Sequence, residues 1–249
     1  MSELARTPYQ PYGSAVYHRR IRVEVWSDGA RTDLEDDFHH FRARIRHREG
    51  VLTEVEGEAV RYPWSTCAGA TEALRRLLGM PLGASSRAAA RHTASNAQCT
   101  HLFDAASLAI ARAARSAGGV EYLIRVPDRV EGRASVSLER DGEELLRWEL
   151  ADQTIESPAP YAGRALRGGG LADWAEREFD PETAEAVLAL QRACVISGGR
   201  IMDLEQIDRA DRVWPNPMGA CHTYTPGTVE RGWRMLGSIR NSTRSGRHD

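Results

Sequence analysis

The chain contains no lysine: all 33 basic side chains among its 249 residues are arginine. Catalysis through a Schiff base needs a primary amine, which a guanidinium group does not supply. Pyridoxal phosphate enzymes, class I aldolases and proteins with the lysine-containing phosphate loop are therefore excluded. The motifs Gly-x-Gly-x-x-Gly, Gly-x-Ser-x-Gly and His-Glu-x-x-His are also absent. The sequence thus lacks the usual signatures of dinucleotide binding, serine hydrolysis and zinc peptidases.

Long apolar runs are missing as well. None approaches the roughly 20 residues that a membrane-spanning helix requires. The formal net charge of -2 does not provide the strongly basic surface typical of nucleic-acid binding. The opening residues, MSELARTPYQPYG, lack the apolar core of a secretory signal. We therefore expect a cytoplasmic protein of bacterial type, with neither a membrane nor a nucleic acid as its partner.

Cysteine is scarce, and the four cysteines form no Cys-x-x-Cys pair; they are Cys67, Cys99, Cys194 and Cys221. In a reducing cytosol we expect free thiols or metal ligands rather than disulfides.

Alternating apolar and polar residues predict three or four antiparallel strands over residues 17–60. In FRARIRH, for example, Phe41, Ala43 and Ile45 are expected to face inward and the arginines outward. Glu49-Gly50 predicts a turn in this region, and Asp141-Gly142 predicts a later hairpin. Helical patterns lie between and after these strands, so the predicted fold class is α+β, an antiparallel sheet packed with helices.

Four helices are predicted: CAGATEALRRLLG, SSRAAARHTA, THLFDAASLAIARAARSAGG, and a last one that starts at Asp180-Pro181. Residues 152–170 are rich in proline and glycine and predict a loop or lid. The predicted organisation is an extended arm over 1–16, a single α+β domain over 17–205, and a loop-rich segment over 206–249 packed on that domain.

Cys99, Thr100 and His101 are consecutive at the start of the third helix. If Asn96 or Thr100 caps this helix, its N-terminal dipole should favour the Cys99 thiolate and a neutral His101 imidazole. A neutral imidazole can act as a general base. Alternatively, Thr100 caps the helix, Cys99 is a small buried residue, and His101 bonds a carbonyl.

Cys67 lies at another helix start, where the same reasoning predicts an acidic thiol. Cys67, Cys99, His101 and His39 could together form a zinc site, although their spacing fits no standard zinc module. Of the adjacent His39 and His40, only one can point into a given site, and the other should be solvated. The acidic residues Asp33, Glu35, Asp36 and Asp37 are interpreted as a charged face.

Cys221, His222 and Tyr224 lie in a loop framed by proline and glycine, GACHTYTPG. Such loops often carry function, so His222 or Tyr224 could complete a site begun by His101. The alternative is the packed end of a tail. An arginine such as Arg44 could hold a carboxylate or a phenolate.

Several of these residues have counterparts in one family. The opening strand RRIRVEVW, His39, Glu56, RYPWSTCAG with Cys67, LRRLLGMPLG and finally CTHL resemble bacterial domain-of-unknown-function family 2889, over roughly residues 18–115. The chain has Gln98 where this family usually has glycine. The resemblance implies functional roles for Cys99 and His101, and an association with the catabolism of aromatic or steroid-like compounds.

Three hypotheses follow. The first is a small-molecule enzyme without an organic cofactor, a carbon–carbon lyase of deformylase or decarboxylase type that acts on a hydrophobic aromatic substrate. His101 would be its general base, Cys99 and Tyr224 would assist catalysis, and the expected substrate contacts are His39, Cys67, Thr100, His222 and Arg44. The second is a zinc-dependent hydrolase or lyase with the four ligands named above. The third is a ligand-binding accessory protein without turnover. In each case a homo-oligomer is a possible assembly.

Overall fold

In a computed structural model, the structure describes residues 12–168, 170–215 and 217–240. Most of the predicted N-terminal arm, and the last nine residues of the predicted C-terminal segment, lie outside these described residues. Within them, no helix is long and apolar enough to cross a membrane.

The strands form one antiparallel sheet, so the predicted α+β class is confirmed. Its eight strands are β1 (Val16–Trp26), β2 (Gly29–Asp36), β3 (His40–Arg48), β4 (Val51–Arg61), β5 (Val120–Pro127), β6 (Arg133–Arg140), β7 (Glu143–Ala151) and β8 (Thr154–Ser157). Their order in the sheet is β4-β3-β2-β1-β5-β6-β7-β8. The first four strands are the predicted N-terminal meander.

Two hairpin turns have the backbone that their sequences predict. Glu49 and Gly50, between β3 and β4, have φ of 52° and 77°, and Asp141 and Gly142, between β6 and β7, have φ of 53° and 87°. Positive φ at both central residues is the type I′ geometry that matches the twist of paired strands.

The α-helices are α1 (Ala70–Ala73), α2 (Ala88–His92), α3 (Thr100–Ala114), α4 (Gly170–Glu178) and α5 (Pro181–Ile196). Asp180 caps α5 as predicted, because its carboxylate accepts the N–H groups of Glu182 and Thr183. The predicted helix after Ser65 is instead two 3₁₀ turns, Ser65–Gly69 and Leu74–Leu77, on either side of α1.

The chain divides into two compact units. The first contains Ile21–Val120 and Asp203–Arg240, and the second contains residues 12–20 and Glu121–Met202. These units are not the segments 17–205 and 206–249 drawn from the sequence, and that division stays a prediction.

In the first unit, α3 packs against β2 and β3. The inward residues Phe41, Ala43 and Ile45 are at most 1% exposed, as their alternation predicts. Gly57 on β4 lies under this layer, and an added Cβ would come within 2.9 Å of Leu74 and Leu102 side-chain atoms. The core of this unit therefore brings the N-terminus of α3 onto the meander.

The second unit holds β5–β8, α4 and α5. Two of its elements depart from the sequence prediction: β8 lies inside the predicted loop of residues 152–170, and α4 precedes the predicted helix. Ile155 and Leu166 are fully buried here, and the Tyr161 ring lies beside Trp148 and Trp174. Burial of these apolar side chains stabilises a segment whose proline and glycine content predicts only a loop.

Candidate functional site

The turn between β2 and β3 is built around Asp36. Its Oδ1 accepts the N–H groups of Phe38 and His39, both at 2.9 Å, and the Asp36 N–H donates to the His39 carbonyl. A short carboxylate that bonds the backbone two residues ahead is a common way to fix such a turn. Here it brings the His39 ring back toward Asp36, with Nδ1 3.0 Å from Oδ1.

His101, on α3, contacts this turn. It is the second residue of α3, and its Nε2 lies 3.5 Å from Asp36 Oδ2. Its ring stacks on that of His39, with centroids 3.6 Å apart and planes inclined by 22°. Phe41 lies beside both rings, at centroid distances of 6.1 and 6.2 Å. Thr100 Oγ1 lies 3.3 Å from the other nitrogen of His101, Nδ1.

Asp36, His39 and His101 therefore form one cluster, which we call the imidazole–carboxylate cluster. One nitrogen from each ring and a carboxylate oxygen all lie within 4.8 Å of one another. The Asp36 side chain is fully buried and that of His101 is 6% exposed, whereas that of His39 is 14% exposed. His39 is thus more exposed to solvent than His101, the residue that the sequence favours as the base.

Arg61, at the end of β4, holds the backbone of this turn. Its guanidinium donates to the carbonyls of Asp36, Asp37 and His39, and to Glu35 Oε1 at 3.1 Å. It also donates to a carbonyl of the C-terminal segment, at Ser238, 2.6 Å away. A planar group with five N–H donors suits this role, since one side chain bonds several carbonyls at once.

Asp36 and Arg61 are not identified as site residues by the sequence. The interpretation of Asp36 and Asp37 as part of a charged face is wrong, because they are 4% and 1% exposed. The available signal was Asp36-x-x-His39 at the end of a predicted strand, which allows the carboxylate to meet the ring across a turn. The partner from α3 could not be inferred, because His101 lies 65 positions after Asp36 in the chain and the two residues come together only in the fold.

His40 faces another carboxylate. Its Nε2 lies 3.1 Å from Asp33 Oδ1, and Arg42 Nε donates to Asp33 Oδ2 at 2.6 Å. Although burial alone would raise it, hydrogen bonds from His40 and Arg42 hold the pKa of Asp33 well below its usual range. The neighbouring histidines do face different partners, as predicted, but His40 is not solvated: its side chain is 15% exposed.

Cys67, Cys99 and Cys221 lie elsewhere in the first unit. Cys67 Sγ is 3.4 Å from Thr223 Oγ1, and Cys99 interacts electrostatically with Cys67 and Cys221. Cys99 is also the N-cap of α3, without a side-chain capping bond, so neither Asn96 nor Thr100 caps this helix. Of the four residues proposed as zinc ligands, the structure brings His39 and His101 together with Asp36, while Cys67 and Cys99 are not members of that group.

The predicted acidic thiols are wrong. Burial raises the pKa of Cys67 to about 11 and that of Cys99 well above its ordinary value, and the nearby cysteines raise the pKa of Cys99 further. Cys99 is the N-cap of α3, whereas Cys67 is the third residue of a short 3₁₀ turn that begins at Ser65. Loss of water around the thiolate outweighs the helix dipole at both positions. The expected neutral state of His101 stays a prediction.

Because these thiols are buried, the free energy of unfolding should depend on pH in the alkaline range. Below pH 9 the Cys67 thiol is protonated in both states, whereas between pH 9 and about 11 only the unfolded state loses the proton. The free energy of unfolding should therefore fall as the pH rises, by about 3 kcal/mol over this window from Cys67 alone. Urea denaturation at several pH values measures the slope. The variant Cys67→Ala should show a shallower decline than wild type, and identical slopes would contradict the assignment.

Tyr224 lies beside the cysteines. Burial raises its pKa, as do Cys221 and Cys67, while a hydrogen bond with Trp64 opposes this. His222 N–H donates to the Gln98 carbonyl at 2.9 Å, which ties the predicted loop to the residue before Cys99. Burial also lowers the pKa of His222, with a contribution from nearby arginines. Whether Tyr224 or His222 serves the imidazole–carboxylate cluster stays a prediction.

Arg44 lies on the outward face of β3, alternate to the buried Phe41 and Ile45. Its guanidinium lies over the Trp26 ring, 5.8 Å from the centroid. The structure therefore places this predicted substrate contact on the face of β3 opposite to the residue that packs beside the two imidazoles.

No curated protein gives a significant match to the chain. A match is found at the level of a protein family, and it is confined to part of the chain. Asp36, His39, Arg61 and His101 all fall inside the matched stretch, so the cluster and its guanidinium clamp belong to it. Residues 17–115 match the family described as "Protein of unknown function (DUF2889)", which confirms the family resemblance seen in the sequence.

Proposed function

We propose that this protein is a small-molecule enzyme in which the imidazole–carboxylate cluster moves a proton to or from the substrate. One observation carries the proposal: the buried carboxylate of Asp36 faces ring nitrogens of both His39 and His101, at 3.0 and 3.5 Å. A carboxylate beside an imidazole fixes the orientation and tautomer of the ring and stabilises it when it takes up a proton.

The two rings have different positions in this mechanism. His39 is the more exposed, so it would contact the substrate and exchange the proton. His101 stacks on the face of the His39 ring, and its Nε2 faces Oδ2 of Asp36. It would help to stabilise the positive charge of a protonated His39 and keep the His39 ring in position. This extends the base expected at His101 into a pair of imidazoles with one carboxylate.

The ring of His39 is held among other aromatic rings. Phe38 meets its ring edge-on at 6.0 Å, and Phe41 is flanked by Tyr62 at 6.5 Å. Phe38 and Phe41 are only 5% and 0% exposed, so they pack behind His39 and leave its imidazole as the aromatic face open to a planar substrate ring. Together with the absence of lysine and nucleotide motifs, this supports a lyase that uses no organic cofactor.

The reaction type we propose is the release of a one-carbon unit from such a substrate. In the decarboxylase form a carbon–carbon bond breaks, carbon dioxide leaves, and the electron pair stays on the substrate carbon. The cluster then donates a proton to that carbon. In the deformylase form the cluster first removes the hydroxyl proton of a hydroxymethyl group. The carbon–carbon bond then breaks, a one-carbon carbonyl compound leaves, the electron pair stays on the substrate carbon, and the cluster returns the proton to that carbon. Both forms need only proton transfer from the protein.

Asp36→Asn tests this role with little change in shape. An asparagine keeps the Oδ1 acceptor for the N–H groups of Phe38 and His39 but removes the charge. We expect turnover to fall by at least about 10-fold, because the protonated imidazole loses its counter-charge. Purified protein would be incubated with hydroxylated aromatic acids and hydroxymethyl aromatics, and one-carbon loss followed by mass spectrometry.

Asp33→Asn is the matched control, since Asp33 pairs with the neighbouring His40. It should leave turnover close to that of wild type. Equal rates for the Asp36 and Asp33 variants would contradict the proposed mechanism. Cytoplasmic location and self-association, also expected from the sequence, stay predictions.

A further inference from the structure

We infer that Asp36, His39 and His101 bind one divalent first-row transition-metal ion, for which Zn²⁺ is the reference. The inference does not rest on the proposed function, since binding is measured without a substrate. It replaces the cysteine-containing ligand set that the sequence suggests with two imidazoles and a carboxylate.

The donor set selects the class of ion. Two imidazole nitrogens with one carboxylate suit zinc, iron, cobalt or nickel, whereas magnesium and calcium prefer sites made of oxygen. Three protein ligands also leave at least one coordination position open, which is typical of catalytic rather than structural zinc. The cluster therefore fits a metal ion with a coordination position open to a small molecule.

Two of the three distances between ligand atoms are close to those around one ion, and all three atoms lie within 4.8 Å of one another. Metal–ligand bonds of about 2.1 Å place neighbouring ligand atoms about 3.0 to 3.4 Å apart. Asp36 Oδ1 to His39 Nδ1 is 3.0 Å, and Asp36 Oδ2 to His101 Nε2 is 3.5 Å. The backbone N–H groups of Phe38 and His39 orient the carboxylate, a kind of support that metal-binding carboxylates commonly have.

Ion binding has to open the ring stack. Ligand lone pairs lie in the plane of each imidazole, so two rings stacked 3.6 Å apart do not point them at one centre. His39 is the ring able to tilt, because it precedes β3 and is the more exposed of the two. His101 is fixed on α3, which is packed on β2 and β3.

A bound ion and a free imidazole base are alternative states of the same cluster. The nitrogen lone pairs that would ligate the ion are those that would accept a proton from a substrate. With the ion in place, its coordinated water would be the candidate base or nucleophile instead. Metal binding would therefore favour the zinc-dependent alternative, now with ligands different from those first expected.

The test is calorimetric titration of the purified full chain with ZnCl₂ after dialysis against a chelator. We expect one ion per chain, and little heat from MgCl₂ at the same concentrations. His39→Ala and Asp36→Asn should each weaken binding by at least about 10-fold, since even residues that only support a ligand matter by 10- to 100-fold. His40→Ala and Cys99→Ala should bind as wild type does.

The Co²⁺ complex gives a second readout that does not depend on the variants folding well. Its visible spectrum should lack a thiolate-to-cobalt charge-transfer band, because the ligands are nitrogen and oxygen. No binding of Zn²⁺ by wild type, unchanged binding by both cluster variants, or a thiolate band would each overturn the inference. Failure of metal binding would leave proton transfer by free imidazoles standing. Conversely, metal binding by a protein that Asp36→Asn leaves fully active would reject the proposed function alone.

Discussion

Turnover is expected to fall by about 10²- to 10⁴-fold when His39 or His101 is replaced by alanine. This is the usual contribution of a positioned general acid or base. His39 loses the ring that would contact substrate, and His101 loses the ring that faces Asp36 Oδ2. The rate is measured on whichever aromatic compound wild type converts, with urea denaturation of each variant in parallel.

His40→Ala is the matched control for the two cluster variants. It removes an imidazole that is also paired with an aspartate and about equally exposed, but that faces Asp33. Wild-type turnover is expected for it. If His101→Ala keeps its turnover and only loses stability, the histidine is a packing residue. If no turnover exists and His101→Ala still binds ligand, the accessory-protein hypothesis is favoured.

Replacing Arg234 by methionine is expected to lower the free energy of unfolding by about 3 to 5 kcal/mol. Its Nη2 donates to Glu205 Oε1 at 2.8 Å, and the two side chains are 2% and 3% exposed. The substitution leaves a buried carboxylate without its counter-charge, which costs far more than the loss of an exposed ion pair. The Pro63 carbonyl also loses a donor. Urea denaturation followed by tryptophan fluorescence measures the change.

Arg212→Met provides the comparison. Arg212 also forms an ion pair, with Asp208 at 2.8 Å, but the two side chains are 64% and 56% exposed. Its loss should cost less than about 1 kcal/mol. The double variant Glu205→Gln, Arg234→Met should recover part of the loss, because the buried charge is gone. If the two arginine variants lowered the free energy of unfolding by similar amounts, burial would not explain the contribution of the Arg234–Glu205 pair to stability.

Much of the fold could be predicted because local signals agree with it. Alternation in β1–β4, the Asp141-Gly142 turn and the Asp180 cap of α5 depend on neighbouring residues, and the structure has them where the sequence indicates. The missed elements depend on distant packing. β8 lies in a stretch rich in proline and glycine, and α4 carries glycine and several charges. Both are stabilised by burial of Ile155, Leu171 and Trp174.

The candidate site could be predicted only in part. His39 and His101 are recognisable as candidate site residues, beside a strand and at a helix start, but their stacking is a property of the fold. Asp36 was hidden among acidic neighbours, because composition does not show which carboxylate is buried. For the cysteines the sequence prediction is wrong in direction. Their position at a helix start predicts a lowered thiol pKa, whereas burial raises the pKa of Cys67 and Cys99.

The clamp at Arg61 makes the cluster depend on residues far outside the family match. The turn that carries His39 is tied to the C-terminal segment in two ways. The Arg240 N–H donates directly to the Asp37 carbonyl, and Arg61, which holds the turn, also donates from Nη1 to the Ser238 carbonyl. A fragment cut to residues 17–115 would keep every reactive group yet leave these backbone partners exposed to water. The matched stretch contains the imidazole–carboxylate cluster, while backbone groups more than a hundred residues downstream fix the turn on which His39 lies.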